Sequence, residues 1–115
     1  MTPVSTISSL EYHVLLSMAT GPKYGYAIKE RIVLESGGTL NPPAGSLYRV
    51  LARLMGRGWV DETEPTEELP PHPGLARRYY RLTEAGRAAL AEEARRLREV
   101  GRLAESRLRK TEGRA

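Results

Sequence analysis

Residues 41–60, "NPPAGSLYRVLARLMGRGWV", decide the fold. Leu47, Val50, Leu51, Leu54 and Met55 follow the i, i+3, i+4, i+7, i+8 spacing that puts apolar side chains on one helical face. The spacing predicts a helix over 44–57, opened just after Pro43, where proline is tolerated, and stopped by Gly56 and Gly58. Arg49, Arg53 and Arg57 recur at four-residue intervals and therefore stack along another face. A basic stripe of this kind either grips an anion or keeps a core helix in solution. The rest of the chain has to decide between them.

Working outward, Ile7, Leu10, Val14, Leu15 and Met18 predict an amphipathic helix over 7–19, capped by Ser5 or Thr6. "TGPKYG" interrupts it, because Gly-Pro marks a turn. Tyr24, Ala27, Ile28 and Ile32 predict a second helix over 24–36, closed by "SGG". Beyond the third helix the period changes. "WVDETE" and "RRYYRLT" carry strand-prone residues around the Pro- and Gly-rich "PTEELPPHPGLA", which is the pattern of a hairpin with a long loop. From Thr83 onward the chain is rich in Ala, Leu, Glu and Arg without proline, and predicts one long helix. Leu90, Ala94, Leu97, Gly101, Ala104 and Leu108 recur at alternating four and three residues, with Val100 and Leu103 widening the stripe. A narrow apolar seam on a long charged helix calls for a partner helix, either the first helix or a second copy of the chain.

The expected fold is mainly α (α+β). It is a winged helix-turn-helix with three helices, a two-stranded β wing and a long C-terminal dimerisation helix. The division expected is a winged-helix unit over 1–83 and a dimerisation helix over 84–115. In that fold the third helix is the one that enters the major groove.

Composition favours an anionic partner, such as a nucleic acid or a membrane surface. The chain has 115 residues, enough for one compact domain, and a net charge of +4. Six Lys/Arg against three Glu lie in 1–58, five acids and no Lys/Arg in 59–76, and twelve Lys/Arg against six Glu in 77–115. Positive charge is thus concentrated on either side of an acidic insert. There is no cysteine, which fits a reducing cytosol, and no basic, apolar export signal at the N-terminus. A cytoplasmic protein without a membrane partner is expected.

Arginine pairs bidentately with phosphate oxygens or guanine edges, which makes Arg49 and Arg53 candidate DNA contacts. Ser46 and Tyr48 add hydroxyls near the helix N-terminus, where the dipole also favours phosphate. Lys29 on the second helix, off its apolar face, is a candidate backbone contact. Arg77 and Arg78 stand where the wing returns, placed to reach a phosphate or the minor groove, or else to neutralise the acidic strand beside them. Trp59 is expected in the core or at a subunit interface. Catalysis has little support: His13 and His72 are far apart, Asp61 is the single aspartate, and no metal-ligand or nucleotide-binding spacing occurs. No enzyme activity, cofactor or metal is expected.

Three stretches together, "GPKYGYAIKERI", "PPAGSLYRVLARLMGRGWV" and "RRYYRLTEAGRAAL", closely resemble the PadR family of bacterial transcriptional regulators over residues 10–92. The resemblance implies a homodimer on a pseudo-palindromic operator, usually a repressor, often relieved by a small-molecule effector. By matching position it places Tyr26, Ser46, Leu47 and Tyr48 in the DNA-facing motif and Arg77 and Arg78 at the wing. The single C-terminal helix resembles the short subgroup. Arg49 departs from the family's usual proline, and the wing's Glu67 and Glu68 would repel DNA. The alternative expectations are a winged-helix module that binds protein without specific DNA binding, and a regulator gated by a ligand near Trp59.

Overall fold

The computed structural model describes residues 7–64 and 78–112. The elements run α1 (Ser9–Ser17), β1 (Lys23–Tyr24), α2 (Gly25–Glu35), α3 (Ala44–Gly56), β2 (Val60–Thr63), β3 (Tyr79–Leu82) and α4 (Glu84–Glu112). This is the winged-helix order, with β2 and β3 as the wing pair. The segment 65–77, including Glu67, Glu68, His72 and Arg77, lies outside the described residues.

α1 starts later than its apolar spacing implied. Its cap is Ser8, whose Oγ accepts from the Glu11 backbone N–H at 3.1 Å, while the Glu11 carboxylate accepts from the Ser8 N–H at 2.9 Å. Two orphan amides of the first turn are satisfied reciprocally. α3 ends as the glycines predict. Gly58 adopts φ 76°, its N–H donates to the Met55 carbonyl at 3.0 Å, and Trp59 N–H donates to Leu54 at 3.0 Å. Those two bonds form the left-handed closure that returns the chain toward β2.

The sheet has a third strand that periodicity did not show. β1 pairs antiparallel with β3, so the order is β1-β3-β2, with Tyr24 opposite Tyr79 and Asp61 opposite Arg81. A strand of two residues is too short to carry an alternation.

One core serves all the helices. Val14, Leu15 and Met18 of α1 meet Ile28 and Ile32 of α2, Leu47, Val50, Leu51 and Leu54 of α3, and Val60, Tyr80 and Leu90. The start of α4 is locked onto this core. Thr83 Oγ1 accepts from the Gly86 N–H at 3.0 Å as the helix cap and donates to the Gly58 carbonyl at 2.6 Å. Thr83 thus joins the start of α4 to the end of α3. After Leu90 the helix leaves the core: Leu97, Val100, Leu103 and Leu108 are 42–62 % exposed.

Candidate nucleic-acid interface

The basic stripe on α3 divides in two. Arg49 is exposed, and its Nη2 donates to the Ser46 hydroxyl at 3.2 Å, so these two candidates come together on the solvent side of α3. Arg53 and Arg57 instead converge on Glu11 of α1. Arg53 Nε donates to Glu11 Oε2 at 3.2 Å, and Arg57 Nη1 lies 3.8 Å from the same oxygen. The Arg57 guanidinium also lies over the Trp59 ring, 5.0 Å from its centroid. Part of the stripe thus ties α3 to α1, and a carboxylate 42 residues away explains it. Burial pushes the Glu11 carboxyl up, but its hydrogen bonds from Ser8 and Arg53 and the charge of Arg57 outweigh this and hold it below its ordinary value.

Tyr48 is half-buried, and its ring lies against the first residue of α2. A methyl group at Gly25 would sit 2.9 Å from the Tyr48 hydroxyl oxygen. The Gly-Tyr of "KYGYAI" is thereby explained in part: the glycine makes room for an α3 tyrosine. The neighbouring Tyr26 is exposed, and the Glu30 carboxylate raises its phenol above the ordinary value, by hydrogen bonding first and by charge second. Lys29, further along α2, is half-buried.

Two expected site residues are corrected. Leu47, placed by motif at the DNA face, is 2 % exposed and belongs to the core, so its position in the motif is set by packing. Leu90, counted in the dimerisation seam, is 9 % exposed and fills the same core. On the remaining seam Ala94, Leu97, Val100, Leu103, Ala104 and Leu108 are exposed and Gly101 partly so. At the wing, Arg78 pairs with Glu62 at 3.4 Å and Arg81 with Asp61 at 3.8 Å. These pairs join the basic strand end to its acidic neighbour. Arg77 lies outside the described residues.

Sequence reasoning passed over Glu11, Thr83 and Gly86 as functional-site supports. "SSLE" carried a legible capping box, but nothing local showed that its glutamate also faces α3. Gly86 is buried because α4 crosses the Trp59 carbonyl there, a contact visible only in three dimensions.

Residues 14–92 match the sequence profile of the Transcriptional regulator PadR-like family. The chain belongs to that family. This PadR-like regulator is 33% identical over 95 residues to "Transcriptional regulator Rv3488" of Mycobacterium tuberculosis, which covers 83% of this chain and 81% of that protein. It is 42% identical over 94 residues to an uncharacterised 37.1 kDa protein in transposon TN4556 of Streptomyces fradiae. That match takes in 81% of this chain but only 24% of the longer protein. Among solved structures, Bacillus subtilis PadR in complex with operator DNA superposes with a TM-score of 0.60 at 22% identity, over 76% of this PadR-like chain and 48% of that one. That likeness establishes the winged-helix fold. No helix among the described residues is long and apolar enough to cross a membrane.

Proposed function

We propose that this PadR-like regulator is a sequence-specific, cytoplasmic DNA-binding repressor that holds a pseudo-palindromic operator as a homodimer. The observation that carries the proposal is the exposed Ser46–Arg49 pair in the first half of α3, beside a Tyr48 set against the start of α2. A short donor, a long cation and a helix N-terminus lie together on the element that a winged helix presents to the major groove. The Bacillus subtilis relative was solved in complex with operator DNA, which supports DNA as the partner. Tyr26, Lys29 and Arg53 complete the proposed DNA-facing set. Arg78 contributes less, because Glu62 already pairs with it. The exposed apolar stripe of α4 from Leu97 to Leu108 supplies the dimer contact. Release by a small-molecule effector belongs to the proposal on the family resemblance alone.

Arg49→Ala tests it. Fluorescence anisotropy with an operator duplex over a salt series is expected to show affinity reduced by about tenfold. If Arg49 meets a phosphate, the slope of log K against log salt becomes shallower by about 0.9. Unchanged affinity and slope would take Arg49 out of the interface. Salt-insensitive binding of the unmodified protein to a protein partner, with no duplex retained, would favour the protein-binding module.

A further inference from the structure

Glu11 is 4 % exposed, and a buried carboxylate is tolerated only when its oxygens are well partnered. Its two oxygens have different duties. Oε1 closes the α1 cap on the Ser8 N–H, and Oε2 reaches across to Arg53 and Arg57. A cap alone needs only the first oxygen.

The way Arg53 is held matters more than the fact of the ion pair. Glu11 takes the Nε edge of the guanidinium, and the Arg53 side chain is still 52% exposed. A guanidinium gripped at Nε keeps both terminal nitrogens for a second, fork-shaped contact with a phosphate or with the O6 and N7 atoms of guanine. Arg57, stacked on Trp59, lies 3.8 Å from the same oxygen and adds a second positive charge beside the carboxylate. Arg49 has no comparable brace, since its hydrogen bond goes to Ser46 one turn away on its own helix.

We infer that Glu11 is a positioning residue for DNA reading, which fixes the orientation of Arg53 so that its terminal nitrogens make a base-specific contact. The inference rests on the DNA-binding function proposed above. It assigns the two arginines different work. Arg53 discriminates between sequences, with its rotamers restricted in advance, and Arg49 holds the backbone.

The test compares Glu11→Gln with the unmodified protein on three kinds of duplex: the operator, taken as the sequence the protein enriches from a random pool, the same sequence with single base changes, and an unrelated sequence. Glutamine at this position still closes a capping box, so α1 keeps its start. Operator affinity is expected to fall by about tenfold. Binding to the unrelated duplex is expected to tighten, because the negative charge beside two arginines is gone. The ratio of specific to non-specific binding falls accordingly. A parallel loss on all duplexes would show a merely structural role and overturn the inference, and so would an unchanged ratio. Arg53→Lys provides an independent arm that leaves Glu11 in place. It keeps the charge but lacks the fork, so it should lose the same discrimination, and the double variant should be no worse than either single one. Additive losses would overturn the inference. If the unmodified protein does not distinguish operator from unrelated duplex, the DNA-reading function itself fails first.

Discussion

Gly86→Ala is expected to lower the midpoint of thermal unfolding by about 10 °C or more, through about 2–3 kcal/mol of overpacking in a domain of this size. The added methyl would overlap the Trp59 carbonyl oxygen and lie 2.8 Å from the carbonyl carbon. Neither atom can move away cheaply. The Trp59 carbonyl accepts from the Thr83 N–H at 3.1 Å, and the Trp59 N–H closes α3 on Leu54 at 3.0 Å. Relief would have to come from lifting α4 off the core, which exposes Leu90 and breaks the Thr83 bond to Gly58. The loss should also reach function, since α4 joins the proposed dimer contact to the DNA-reading half. Calorimetry or circular dichroism melting checks the stability, and a midpoint within a few degrees of the unmodified protein would show that α4 is not locked there.

Leu97→Glu combined with Leu103→Glu is expected to convert the protein to monomers and to weaken operator binding by about 10²–10⁴-fold, the avidity lost when two linked sites become one. The physical reason lies in how α4 is built. Its 29 residues make a rod about 44 Å long. Only its first turns, to about Leu90 and Glu93, are buried. Beyond them, exposed faces are held by ion pairs along the helix, Arg95 with Glu99 at 3.1 Å and Arg109 with Glu105 at 3.7 Å. Such pairs support the helix but leave its leucines uncovered. Leu97 and Leu103 are 42 and 49% exposed, so carboxylates there disturb little within one chain and much between two. Sedimentation velocity reads the mass and anisotropy reads the binding. A double variant that remains dimeric would move the interface off this stripe.

The helices were legible because their signals are local. The leucines of α3 and the glycines that end it lie in one window, and the structure places Leu47, Val50, Leu51 and Leu54 in the core. The ends of the long-range contacts were not legible. Arg53 and Arg57 share the spacing of an exposed stripe, but their pairing with Glu11, far away in the sequence, has no local signal. Leu90 continues the spacing of the seam, yet it lies in the core, one helical turn beyond the close approach of Gly86 to Trp59, and periodicity cannot tell which partner covers an apolar residue. β1 was missed because its stability comes from pairing with β3, not from its own two residues. The three motifs that carried the family resemblance are now partly explained by packing. Gly25 admits Tyr48, Leu47 fills the core, and Thr83 and Gly86 dock α4.

The central claim, that the exposed part of the α3 stripe reads DNA as a dimer, is tested most directly by selecting duplexes from a random pool with the purified protein at moderate and high salt. The account predicts enrichment of an inverted repeat whose half-sites lie about one helical turn apart, about 34–36 Å centre to centre. Retention that vanishes with salt and leaves no consensus, or no retention of any duplex, would contradict it.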